Sequence, residues 1–193
     1  MDARVTAEEL ARTDAERAAL DKLRELTGEA DSPMERHAIR LHLIVERAAE
    51  RRGLQVDREL VLCAALLHDA GGYPGAFTGG PYVSDGRRLT GEVLAPFGWE
   101  ADRLRRCLDA VELHHRLSAQ WERGPEVELL RRADRTDLQP PVTGWRRELA
   151  RRAPRRGLYR EVAKIVGRSA RAGTLPRIFF VKPGEGAREP RNG

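Results

Sequence analysis

Val61-Leu62-Cys63-Ala64-Ala65-Leu66-Leu67-His68-Asp69 carries an unbroken apolar run straight into an imidazole and a carboxylate. Asp57 stands ahead of it as a helix cap, and Gly71-Gly72 follows as a stop, so the spacing predicts a short helix with His68 and Asp69 at its C-terminal end. A helix that is apolar all round is a buried one. A buried carboxylate beside an imidazole is costly unless it is paired or binds a cation. The partial negative charge of a helix C-terminus also favours a cation there. Imidazole nitrogen with carboxylate oxygen suits divalent Mn, Fe, Co, Ni or Zn. Alone, a His-Asp dipeptide is a weak sign, because chance supplies many.

The segments around it read as helices too. Thr6-x-x-Glu9 is a capping box, followed by a charged helix to about Leu26 and a stop at Gly28. Ser32-Pro33 opens a second helix, with Ile39, Leu41, Leu43, Ile44 and Val45 as its apolar residues and Gly53 at its end. Residues 70–86 read as a long loop holding six glycines, two prolines and the aromatics Tyr73, Phe77 and Tyr82. Loops of that length are usually functional or disordered, and the aromatics favour a lid or pocket wall. Ser84 or Asp85 starts a short helix to Leu94, and residues 100–116 repeat apolar positions at helical spacing. Gly124-Pro125 opens a helix with Val127, Leu129, Leu130 and Ala133, which Pro140-Pro141 breaks. Two basic helical segments follow, near 145–152 and 157–171, and Arg177 to Val181 is at most one extended piece.

Composition sets the outer limits. The chain has 193 residues and a net charge of +5, the size of one domain with an appendage. Residues 146–193 hold 14 Lys/Arg and 4 Asp/Glu, which is +10, so residues 1–145 carry −5. Arg outnumbers Lys 32 to 3, a bias that coding alone can produce. With 40% apolar and 34% charged residues, neither a membrane protein nor wholesale disorder fits. The apolar run falls far short of the roughly 20 residues of a membrane span. The polar N-terminus is no secretory signal. Cys63 and Cys107 have no C-x-x-C spacing and read as core residues, which points to a reducing cytoplasm.

His37, then His68-Asp69, then Asp134, each on a separate predicted helix, resemble the H…HD…D pattern of the HD-domain metal-dependent phosphohydrolase superfamily. The surroundings match as well: Glu35-Arg36-His37, Ala64-Ala65-Leu66-Leu67-His68-Asp69, and Leu130-x-x-Ala133-Asp134. His114-His115 stands where many members carry a His-His pair. The resemblance covers about residues 33–138. It implies an all-α HD-domain helical bundle with a central metal site. On that basis the organisation is an N-terminal helix packing on the core (1–30), the HD core (31–140), a basic helical extension (141–182) and a disordered tail (183–193).

Carried over residue by residue, His37, His68, Asp69 and Asp134 would be the ligands of one divalent metal ion. Asp137, one helical turn past Asp134, is a weaker candidate that could support a ligand or cap the helix. Di-metal relatives, including similar di-iron oxygenases, have an additional His between the HD and His-His pairs. None occurs here between His68 and His114, and that position falls near Arg87. One metal is therefore expected rather than two. HD-type 5′-deoxynucleotidases show a Glu three residues after the HD aspartate, where this chain has Gly72. The Lys that follows HD in many relatives is also absent. Cyanamide hydratase, a mononuclear zinc HD protein, shows that the scaffold also adds water to a nitrile-type carbon.

His114 is the expected general acid or substrate ligand, with His115 as its companion, since imidazole switches protonation near neutrality. Arg36, Arg40 and Arg87 are candidate phosphate ligands through bidentate forks. His42, off the face of His37, is expected to be structural. The leading expectation is a metal-dependent hydrolase that attacks a phosphomonoester of a nucleotide or small phosphorylated metabolite with metal-activated water. A non-phosphate hydratase or lyase on the same scaffold is the alternative, and an HD-type di-iron oxygenase comes third. The expected partner is a small molecule rather than a membrane or nucleic acid, with the basic C-terminal segment read as a solvated helix face.

Overall fold

The structure, a computed structural model, describes residues 4–180. Its centre is α4 (Arg58–Leu67), the helix that ends in His68 and Asp69. Every residue from Leu60 to Leu67 is buried, at roughly 1.5–3 kcal/mol for each large apolar side chain. Asp57 caps it by accepting from the Leu60 N–H at 3.0 Å. Arg103 anchors that cap by pairing with Asp57 at 2.6 Å and with Glu59.

Five neighbours surround α4. They are α2 (Asp14–Thr27), α3 (Pro33–Glu50), α5 (Tyr82–Leu94), α6 (Ala101–Leu113) and α7 (Pro125–Leu138). α3 packs on both α4 and α7, α6 joins α5 to α7, and α2 lies across α4 and α5. The described residues contain α-helices and short 3-10 turns but no strand, so the fold is all-α as expected. Cys63 and Cys107 are free and buried in this core.

Three local expectations change. The N-terminal charged helix is two helices, α1 (Ala7–Leu10) and α2, because a second capping box, Thr13 with Glu16, restarts the chain. The expected loop 70–86 is shorter at both ends. A 3-10 turn occupies Ala70–Gly72, and α5 begins at Tyr82 rather than at Ser84 or Asp85. Two glycines allow this. A Cβ on Gly71 would lie 2.1 Å from the Tyr82 carbonyl oxygen, and one on Gly72 would lie 2.5 Å from Ile165 Cγ2. The third change concerns the C-terminal segment. After α8 (Gly144–Arg152) and α9 (Leu158–Arg171), residues Leu175–Phe179 form a 3-10 turn, not an extended piece. Val181 and the expected tail 183–193 lie outside the described residues.

α9 is basic outside but buries Leu158, Ile165 and Ser169. It packs on α3 and on the Ala70–Gly72 turn. Arg168 donates to the Gly72 carbonyl at 2.5 Å. The C-terminal segment is thereby fixed beside the residues that follow the His-Asp pair.

Candidate metal centre

Four helix ends and faces deliver the polar residues to one point. α3 brings His37, the end of α4 brings His68 and Asp69, the end of α6 brings His114 and His115, and α7 brings Asp134. His37, His68, His114 and Asp134 are at most 2% exposed. The ring centroids of His37 and His68 are 5.1 Å apart, those of His68 and His114 4.9 Å, and those of His114 and His115 4.1 Å. His37 Nε2 is 3.3 Å from Asp134 Oδ1, His68 Nε2 is 3.2 Å from Asp69 Oδ2, and His114 Nε2 is 3.4 Å from Asp69 Oδ1.

The orientation of each ring is set from behind. His37 Nδ1 is 2.7 Å from Asp137 Oδ2, His68 Nδ1 is 2.8 Å from the Ala65 carbonyl, and His114 Nδ1 is 2.6 Å from the Val111 carbonyl. Each Nδ1–H donates to that acceptor, which aims each Nε2 at the cluster. Those three Nε2 atoms, with Asp69 Oδ1 and Asp134 Oδ2, are buried without any hydrogen-bond partner. Buried polar atoms are almost always satisfied, and these five orphans carry the nitrogen and carboxylate-oxygen donors that suit a divalent cation. His37, His68 and Asp134 have ligand atoms all within 4.8 Å of one another, as do His68, Asp69 and His114, and also His114, His115 and Asp134.

Electrostatics point the same way. Burial opposes ionisation of Asp134, yet the His37 contact holds its carboxyl down at about 2. Burial likewise opposes ionisation of Asp69, but His68 and His114 keep it well below the usual carboxylate range. Burial works against a charged His37, and Asp134 and Asp137 outweigh it, lifting the imidazole to about 9. The carboxylates therefore remain charged inside the cluster.

A chamber of about 440 Å³ opens on this cluster. Its polar edge is Asp69, Asp134, His115 and the Tyr82 hydroxyl, which lies 2.5 Å from His115 Nε2. Its wall is apolar and comes largely from the C-terminal segment: Val162, Ile165 and Val166 of α9, then Leu175, Ile178 and Phe179. Burial lowers His115 to about 4, with the adjacent His114 adding to the effect. The ring is therefore neutral; with Nδ1 turned toward Asp134 Oδ2 at 3.6 Å, the geometry places its proton there and lets Nε2 accept from the Tyr82 hydroxyl.

His114, expected to act as an acid, sits within the buried cluster, while His115 is the member of the pair that faces the chamber. Asp137 stands behind His37. His42 pairs with Glu46 at 3.2 Å, outside the cluster. The three expected phosphate arginines do not line the chamber. Arg40 is 1% exposed and spends its guanidinium on Asp137, at 2.9–3.0 Å, and on the Ala153 carbonyl. Arg36 donates to the carbonyls of Pro154 and Arg156 at 3.0 Å. Arg87 pairs with Asp109 at 2.8 Å and Glu112 at 3.3 Å. Tyr82, Arg135 and the α9 residues carry no motif in the sequence that marks them for the site, although Tyr82 stands in the pocket wall, as expected of the aromatic loop.

A family model for the HD domain matches residues 34–139, more than half of the chain. The chain belongs to the HD-domain family. No curated protein matches it. HD domains are generally metal-dependent hydrolases that bind divalent ions, and the buried His/Asp cage of this HD domain has the donor set for one. No helix among the described residues is long and apolar enough to cross a membrane.

Proposed function

We propose that this HD-domain protein is a metal-dependent hydrolase whose small substrate carries an apolar body rather than a nucleotide. The observation that carries this reading is the chamber wall. It is built of Val, Ile, Leu and Phe side chains, while the guanidiniums of Arg36, Arg40 and Arg87 are consumed by protein carbonyls and carboxylates.

One divalent ion would be held by His37, His68, Asp69 and Asp134, with His114 completing the cage. Such an ion supplies Lewis acidity, bringing the pKa of an adjacent water to about 7 and offsetting negative charge that develops on the substrate. The chain's own residues do the rest. Asp137 and Arg40 fix the His37 ring. Tyr82 donates to His115 Nε2, which puts the proton of that ring on Nδ1, 3.6 Å from Asp134 Oδ2. The polar edge of the chamber is thereby rigid before substrate arrives. The apolar wall excludes water and orients the substrate so that its polar end meets Asp69, Asp134 and His115.

A second reading, hydrolysis of a phosphomonoester, keeps one specific observation. Arg135 lines the chamber, and a single guanidinium there can receive a phosphate. A substrate panel separates the two. Apolar esters, amides and nitriles are tested beside nucleoside monophosphates and an aryl phosphate, with metal content measured on the same protein. Turnover among the non-phosphate compounds is expected, and Asp69→Ala should lose both the ion and turnover. Phosphate release from nucleotides as the dominant activity would overturn the substrate assignment. Full activity in metal-free Asp69→Ala protein would overturn the metal assignment.

A further inference from the structure

A second cavity, of about 830 Å³, runs between α3 and α7 and is closed at one side by Trp145 of α8. Half of its lining residues are arginines: Arg47, Arg51, Arg52, Arg131, Arg132 and Arg135. No carboxylate lines it. Glu128, on the same helix as the last three, already holds Arg131 at 2.8 Å and Arg132 at 2.5 Å, and is itself fully buried. The floor is apolar, with Ile44 and Leu129. The Arg47 guanidinium lies 5.0 Å from the Trp145 ring centroid, which holds one cation at the rim over an aromatic face.

Helix periodicity explains how the groove and the metal cage share two helices. At 3.6 residues per turn, Leu129, Arg132, Ala133 and Thr136 lie on one side of α7, and Asp134, Asp137 and Leu138 on the other. On α3, His37, Arg40, Ile44, Arg47 and Arg51 share one face, with Arg47 about 15 Å along the axis from His37. The two helices therefore gather cations at one end of their contact and a cation-seeking cage at the other. Arg131 is spent on Glu128 and on the Arg116 carbonyl, so the N–H groups that face the groove come chiefly from Arg47, Arg51 and Arg132; with no lining acid, such a concave site is suited to an anion with several charges close together. The volume falls in the range of small-ligand sites, about 300–1,000 Å³, and not of a flat track for a long polymer.

We propose that this groove is a binding site for a small polyphosphate, two or more phosphates in a row, gripped by Arg47, Arg51 and Arg132 and separate from the metal cage. The ligand can be an inorganic polyphosphate or the phosphate chain of a nucleotide. Titration of the full-length, metal-loaded protein with tripolyphosphate, with ATP and with orthophosphate distinguishes the two sources. Equal binding of the first two assigns recognition to the phosphates, and tighter binding of ATP assigns a base contact, for which Trp145 is the candidate. Orthophosphate should bind far more weakly than either.

The decisive comparison uses Arg47→Ala/Arg51→Ala, two exposed positions outside the core, against Arg17→Ala/Arg88→Ala elsewhere on the surface. The groove variant should bind tripolyphosphate roughly a hundredfold more weakly, about tenfold for each guanidinium–phosphate pair removed. The control should bind as the parent does. Chelation of the site's metal by polyphosphate would affect both variants alike, so it cannot mimic this outcome. Three results would each overturn the proposal: no saturable binding of tripolyphosphate or ATP, binding that survives the loss of Arg47 and Arg51, or affinity for single-stranded DNA with none for the short polyphosphates.

Discussion

On one side of α7, Asp134 and Asp137 face imidazoles in a buried cluster that meets water only at its chamber. On the other, Arg132 and its neighbours face a groove open to it. Both sides gather charge of one kind, yet they are built differently. The interior side fixes each group from behind: Asp137 holds His37, backbone carbonyls hold His68 and His114, and Arg40 holds Asp137. The groove side leaves Arg47, Arg51 and Arg132 exposed on long side chains, with Glu128 as a buried tether for two of its cations. Buried charges must be paired or hydrogen-bonded to be tolerated at all, whereas exposed ones tolerate solvent. Removing a support should therefore cost most on the interior side.

The largest expected effect is at Arg40. Arg40→Ala would leave the Asp137 carboxylate buried without its guanidinium, and breaking a buried pair of this kind costs about 3–5 kcal/mol. Chemical denaturation should show a loss of that size. A substrate-binding arginine would instead raise KM and leave stability nearly unchanged, and that result would return Arg40 to the substrate.

On the groove side, Glu128 gives a pH test. Burial opposes its ionisation, but Arg131 and Arg132 hold it down at about 2, below its ordinary 4.5. A carboxylate depressed in the folded state contributes stability that is fully present above its unfolded pKa. That contribution is lost as pH falls through the folded pKa, here between about 4.5 and 2. Glu128→Gln should therefore be less stable than the parent by about 2–3 kcal/mol at pH 7, with the gap narrowing by about pH 3. An equal difference at both pH values would show that the Glu128 charge is not what ties the groove together.

The interior side was largely legible in the sequence, and the covering of the site was not. His37, His68, Asp69 and Asp134 stand out because their order, on separate predicted helices, resembles the H…HD…D pattern. Asp137 was legible as one turn from Asp134, although its role behind His37 needed the contact itself. His114 and His115 are adjacent and about 100° apart on a helix, so sequence could say that one faced the chamber but not which. α9 has the apolar positions Leu158, Val162 and Ile165 at helical spacing, and that pattern is readable. Its target is not, because Ile165 meets Gly72 across a long stretch of chain, and helix periodicity carries no information about distant partners. Arg36, Arg40 and Arg87 resist placement from sequence for a related reason: the carbonyls and carboxylates that claim them are mostly far away along the chain.

The smallest effect concerns what separates the chamber from solvent, and it tests whether α9 belongs to the site. A Cβ on Gly72 would lie 2.5 Å from Ile165 Cγ2 and 3.0 Å from Cγ1. Gly72→Ala must therefore shift α9, and overpacking of this kind costs about 1–3 kcal/mol. Ile165→Ala alone removes a buried side chain at about 2–5 kcal/mol. It also removes the two atoms nearest the new methyl and leaves only Cβ, at 3.2 Å. Because the two residues touch, the double variant should cost less than the two single losses together, by about 1 kcal/mol or more. The same cycle read in KM for an apolar substrate should show Gly72→Ala weakening binding, since Ile165 is part of the chamber wall. Additive stabilities, with KM unchanged throughout, would mean that α9 covers the turn after His68-Asp69 without shaping what the chamber accepts.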